Sequence, residues 1–133
     1  MRVVLDTNVV VSGLLKAEGP PGQILDMVLE GALELVVDHR ILEEYGSVSR
    51  RPELSILPDD LRQFLEFVAT VSTHVEAAPL GLALPHQADA VFVEVARSGD
   101  VPFLVTGNLR HFPRIPEAVS ARGFLDTLRR QQS

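Results

Sequence analysis

Cysteine is missing altogether from this 133-residue chain. Disulfides and thiolate metal sites are therefore impossible, and the absence fits a reducing compartment. A surplus of positive charge is missing too: 18 acidic residues against 12 basic ones leave a net charge of −6. Binding of nucleic acid by electrostatics alone is argued against, since such binders carry a basic footprint. An enzyme whose acids collect a cation is not, because the cation inverts the local charge. Lysine occurs once, at Lys16, and the other basic residues are arginines, whose planar forks suit phosphate oxygens. No apolar run approaches the ~20 residues that span a bilayer. Asp6 interrupts the opening apolar run too early for a signal peptide. The expectation is a soluble, cytoplasmic protein without membrane contact. Repeats, low-complexity tracts and linkers are lacking as well, and the 9 glycines and 9 prolines are scattered.

What is present is enough apolar material, 46% of residues, for a substantial core in one domain over residues 1–133. Elements alternate in type. Val3-Val4-Leu5 reads as a buried strand ending at Asp6, and Leu33 to Val37 as a second. Ile24, Leu25, Val28 and Leu29 share one face of a helix from about Pro21 to Glu30, with Gly31 where a C-terminal cap belongs. Asp38 offers the N-cap of a helix reaching about Val48. Pro58-Asp59-Asp60 opens another, with Leu61, Phe64, Leu65, Val68 and Val71 on its apolar side. Val75 marks a short strand, residues 79–85 a loop, and residues 89–97 a helix. Pro102 to Thr106 reads as a buried strand stopped by Gly107, and Gly123 to Arg130 as a short final helix. Such alternation predicts an α/β fold with a mainly parallel sheet between helical layers. Ligands of such sheets bind beyond the carboxyl ends of the strands, at a topological switch point.

Three acids lie at element edges. Asp6 follows the first strand, Asp89 opens the late helix, and Glu44 sits at the margin of the stripe formed by Ile41, Leu42, Tyr45 and Val48. Glu43 falls nearly opposite that stripe, toward solvent, and Glu94 lies off the direction of Asp89. Each acid alone serves equally as a cap or a first-turn charge. Together, converging carboxylates must share a proton or bind a cation. Hard oxygen donors select Mg²⁺ or Mn²⁺, and such an ion orients water against a phosphodiester. Thr106-Gly107-Asn108 follows a strand as well. Asn108 is there either a neutral ligand or a turn residue. Arg110, His111 and Arg114 stand nearby as RNA-phosphate contacts or as solvated charge. No Gly-Lys-Ser/Thr segment occurs, which removes a P-loop. The lone Lys16 makes an aspartyl phosphotransferase, which wants a late lysine, a poor reading.

Four segments in order resemble the PIN domain: Leu5-Asp6-Thr7-Asn8-Val9; Leu42-Glu43-Glu44-Tyr45 followed by Arg50-Arg51-Pro52; Asp89 ahead of Phe92-Val93-Glu94-Val95-Ala96; and Leu104-Val105-Thr106-Gly107-Asn108. The resemblance is nearest to the VapC-like toxins of toxin–antitoxin pairs. It implies a Rossmann-like three-layer α/β/α sandwich and a Mg²⁺- or Mn²⁺-dependent endoribonuclease. Asp6, Glu44 and Asp89 would be its catalytic and metal residues, with Asn8 orienting the first aspartate and Thr106 and Asn108 in support. RNA is the implied substrate, with an antitoxin protein as partner and a homodimer as the family's assembly. The chain departs from the family pattern at His86 and Ala88, where acids are common, and at Asn108, where many relatives carry aspartate. His86 then reads as a substitute ligand, a proton carrier or a plain loop residue. The departures also define the alternative: a PIN-like module that binds RNA or a protein without cutting.

Overall fold

A computed structural model describes residues 1–132; Ser133 lies outside the described residues. Five parallel strands form one sheet in the order β3-β2-β1-β4-β5. They are β1 (Arg2–Leu5), β2 (Glu34–Val37), β3 (Thr73–His74), β4 (Leu104–Val105) and β5 (Ala118–Val119). Among the described residues six α-helices accompany them: α1 (Thr7–Leu15), α2 (Pro20–Leu29), α3 (His39–Ser47), α4 (Pro58–Val71), α5 (Ala90–Ser98) and α6 (Ala121–Gln132). The α/β fold predicted from the alternation is the one observed, consistent with a Rossmann-like sandwich. Strands buried on both faces must be apolar at successive positions. Val3-Val4-Leu5, Leu35-Val36-Val37 and Leu104-Val105 are all buried.

Local chemistry explains most boundaries. Gly31 adopts φ +83°, and its N–H and that of Ala32 bond to the carbonyls of Val28 and Met27. These two bonds close α2 in a left-handed cap that a side chain would strain. The Asp38 carboxylate accepts the Ile41 N–H at 2.9 Å and caps α3, as its position predicts. Arg51-Pro52 ends the helical run in two short 3₁₀ turns, Val48–Arg50 and Pro52–Leu54.

Two elements and one residue differ from the sequence reading. Residues 7–15 are helical, although Val9-Val10-Val11 is a β-branched run with weak helix propensity. Packing of Val9 and Val10 into the core outweighs that propensity. Ala118–Val119 pairs with β4 as a fifth strand too short to leave a periodic signature. Val71, expected on the apolar side of α4, is exposed, because it is the helix's last residue and lies at the edge of the stripe.

The strand order sets the site. The chain steps from β1 outward to β2 and β3, then returns to place β4 on the other side of β1. The direction of winding therefore reverses between β1 and β4, whose ends are in register, Leu5 opposite Val105. Asp6 and Thr106 are the next residues on these two strands.

Candidate active site

Asp6 is held by three elements at once. Its N–H donates to the Val105 carbonyl at 2.9 Å, continuing the β1–β4 ladder. Its carboxylate accepts the Thr106 hydroxyl at 2.8 Å. It also stands at the N-terminus of α1, where backbone N–H groups and the helix dipole favour negative charge. Behind it, the buried Tyr45 hydroxyl donates to the Leu5 carbonyl at 2.6 Å. Burial and the charge of Asp6 raise the pKa of this phenol, so it stays neutral. The Asp6 side chain is itself buried, and that desolvation lifts its carboxyl above the ordinary value of 3.8. The negative charge of Asp89 pushes the same way. The Thr106 hydroxyl and the N–H groups of Thr7 and Asn8 pull it back only in part.

Asn8 and Thr106 brace the loop after β4. The amide oxygen of Asn8 accepts the Gly107 N–H at 3.0 Å, and the Thr106 hydroxyl accepts the Asn108 N–H at 3.0 Å. Asn8 thus touches the β4 loop and reaches Asp6 through Thr106. The Asn108 side chain is exposed, with φ −131° rather than the left-handed turn its type tolerates.

Asp89 ends a short 3₁₀ turn, Gln87–Asp89, at the start of α5. Its Oδ2 is shut off from solvent yet has no aligned hydrogen bond among the described residues. The Nδ1 of His111 stands 3.2 Å from it. The His111 ring packs against that of His86, with centroids 4.1 Å apart and the planes tilted by 35°. Arg110 and Arg114 are exposed on the same segment.

Glu44 lines a cleft of about 500 Å³ between α3 and α5, with Arg40, Glu43, Ser47, Arg50, Gln87, Ala88 and Glu94 in its walls. Glu43 is exposed as expected, but it borders the same cleft, which runs along the flank of α3. A larger role than expected falls to Glu94. It is 6% exposed on a helix stretch otherwise buried and apolar. Its carboxylate takes the Arg40 guanidinium at 2.9 Å and the Leu80 N–H at 3.1 Å, while Arg40 also bonds to Asp38 at 2.8 Å. An acid inside the buried stripe of α5 was the signal for this network; the position of Arg40 gave none.

The structure therefore brings Asp6 and Asp89 within electrostatic reach and sets Glu44 on the neighbouring cleft. Among the described residues no three acids or histidines are gathered closely enough to hold a metal ion as they stand. Two carboxylates still fit Mg²⁺ or Mn²⁺, which commonly take one or two acids and keep several waters. The mutual repulsion of the pair and the unpartnered Oδ2 of Asp89 are what such an ion would relieve. Among the described residues no helix is long and apolar enough to cross a membrane.

Comparison with known proteins places this arrangement in context. A family model described as the PIN domain matches residues 2–110. An uncharacterized protein of Methanocaldococcus jannaschii is 39% identical over 54 residues, which cover 41% of this chain and 35% of that protein. The chain thus aligns with about a third of that relative's length. No solved structure gives a significant match.

Proposed function

The chain belongs to the PIN-domain family, whose members are in general nucleases, and from that premise we propose that it is a metal-dependent endoribonuclease and the toxin of a toxin–antitoxin pair. The position of Asp6 beside the winding reversal, with the negative charge of Asp89 acting on its carboxylate, is the observation that supports this reading. Asp6 and Asp89 would hold Mg²⁺ or Mn²⁺, with Glu44 approaching from the cleft wall. A divalent cation in such a site neutralises developing phosphate charge and makes a bound water nucleophilic. The protein's share is to fix and shield. Thr106 and the α1 N-terminus orient the Asp6 carboxylate, and Asn8 locks the β4 loop that carries Thr106. Arg40 is committed to Asp38 and Glu94, so Arg50 at the cleft, with the exposed Arg110 and Arg114, would be the positive charge that an RNA backbone meets in an acidic protein. The low acid count gathered at the site favours one alternative, a PIN-like module that binds RNA or protein without cutting.

The deciding experiment is incubation of a mixed RNA pool with wild type and Asp89→Asn, in Mn²⁺, Mg²⁺ or EDTA. Cleavage is expected from wild type only, and only with metal. Intact RNA in every condition would favour the binding module. As a toxin, the protein should leave its native host under gentle lysis bound to a smaller cognate partner that suppresses cleavage. Recovery of free, fully active protein at native expression levels would count against the toxin assignment.

A further inference from the structure

Glu94 is a buried acid to which the chemistry around Asp6 gives no task. Both of its carboxylate oxygens are in use. Oε1 accepts from the Arg40 Nη1 at 2.9 Å, and Oε2 accepts the Leu80 N–H at 3.1 Å. Arg40 is held a second time, through its Nε, by Asp38 at 2.8 Å. Glu94 thus fastens the start of α3 and the segment 76–86 to the middle of α5. That segment has no helix or strand, and it leads from β3 to the short turn that carries Asp89. One further bond, from the Ala78 N–H to the Ser98 hydroxyl at 3.2 Å, lays it along α5. Among the described residues the Arg40–Glu94 pair is the one polar contact between α3 and α5. The lining of the cleft starts from it on both walls. Arg40, Glu44 and Ser47 follow at helical spacing along α3, and Glu94, Val91 and Gln87 run back along α5 to the turn before it. The pair therefore spans the walls at one end of the cleft, with the Asp89 turn at the other end of α5.

Stability alone does not call for such a bridge, since apolar side chains of similar volume serve a buried position as well or better. What the bridge adds is direction. A planar guanidinium gripped by acids on two of its edges accepts one spacing of the helices, where apolar contacts tolerate a slide. We infer that Arg40 and Glu94 are positioning residues, whose bridge fixes the width of the cleft and with it the place of Glu44 relative to Asp89. The inference rests on the nuclease reading and adds how the acids of that site are held in alignment. A shift of about 1 Å caused by a change away from the reacting atoms can cost about 10²-fold in rate, so cutting the bridge should slow cleavage about tenfold or more.

The chain has no cysteine, so two introduced ones are its only attachment points for spin labels. Glu43→Cys and Gln87→Cys place them on opposite walls, at exposed residues. Electron paramagnetic resonance of the doubly labelled chain then reads the separation of the walls. Glu94→Gln offers one acceptor oxygen to two donors, and the distribution of separations is expected to widen. In the unlabelled protein the same substitution should lower kcat for RNA cleavage about tenfold or more and change KM less, because the exposed Arg110 and Arg114 lie on neither wall. Arg40→Lys should fall between wild type and Glu94→Gln in both readouts, since an ammonium lacks the fork that serves two acids. Arg97→Gln cuts the pair with Glu117, at 2.9 Å and away from the cleft, and should alter neither separation nor rate. Circular dichroism checks folding, and if Glu94→Gln does not fold, Arg40→Lys carries the same test. An unchanged separation, a widened one with undiminished cleavage, or an equal loss from Arg97→Gln would overturn the inference. Wild type that cuts no RNA with any metal would sink the nuclease reading instead, and the separations would still decide whether the bridge sets the cleft.

Discussion

Asp6→Asn should melt at a higher temperature than wild type in EDTA and cleave RNA more than ~100-fold more slowly in Mn²⁺, beyond the loss expected from removing a supporting partner. The two effects have one origin. Burial and Asp89 raise the folded-state pKa of Asp6 above 3.8, its ordinary value. A raised acid binds its proton more tightly in the folded chain than in the unfolded one. Its contribution to stability is therefore greatest at low pH, and it is lost as pH climbs from the unfolded pKa through the folded one. At neutral pH the ionised carboxylate is a net strain on the metal-free protein. Asparagine removes the charge and retains an oxygen for the Thr106 hydroxyl. The same charge is what attracts the cation, so added Mn²⁺ should raise the melting temperature of wild type and not of the variant. Equal melting temperatures in EDTA would show that the site carries no unrelieved repulsion.

Gly22→Ala should be the most damaging small substitution outside the site. A Cβ on Gly22 would lie 2.1 Å from the Ala17 carbonyl oxygen and 2.4 Å from its carbon. These are backbone atoms of the connection between α1 and α2, so no rotamer change relieves the overlap. Separating the two helices would also disturb Gly13, whose own Cβ position is taken by the Leu25 side chain. A loss of about 3 kcal/mol is expected, at the upper end for overpacking. Gly46→Ala is the matched control: its Cβ meets nothing within 4 Å, and in α3 alanine is favoured by about 0.5–1 kcal/mol. Urea denaturation of the three proteins measures both signs. A Gly22→Ala protein as stable as wild type would mean that the connection yields far more readily than its contacts suggest.

How far the sequence disclosed this molecule depends on which physical signal each part leaves. Strands buried on both faces must be apolar throughout, which made β1, β2 and β4 readable. Caps are chemical signatures, and Asp38 and Gly31 perform the jobs their types announce. α1 escaped because its stabilisation is tertiary: three consecutive valines speak for a strand until the core that receives them is known. β5 has two residues, too few for any period. At the site, Asp6 and Thr106 were legible as residues just past strand ends. The His86–His111 ring contact and the Arg40–Glu94 bridge were not, since both depend on which loops and helices become neighbours. Glu44 shows the limit of helical-wheel reasoning. The wheel identifies the margin of a buried face but not which neighbouring element walls off the cleft beyond it, and so it separated Glu43 from Glu44 more sharply than the fold does.

The bond between Thr106 and Asp6 joins residues 100 positions apart, and the one between Asn8 and Gly107 spans 99. Closing so long a loop is slow and is rewarded only when β4 docks beside β1. An emerging chain therefore presents Asp6 with only the nearby Thr7 and Asn8 N–H groups, and lacks its Thr106 partner until residue 106 has been synthesised and has left the ribosome. Fragments from interrupted translation that stop short of that point lack the brace around Asp6 altogether. The arrangement around Asp6 is thus a product of the completed β1–β4 pairing and not of the local sequence around the aspartate.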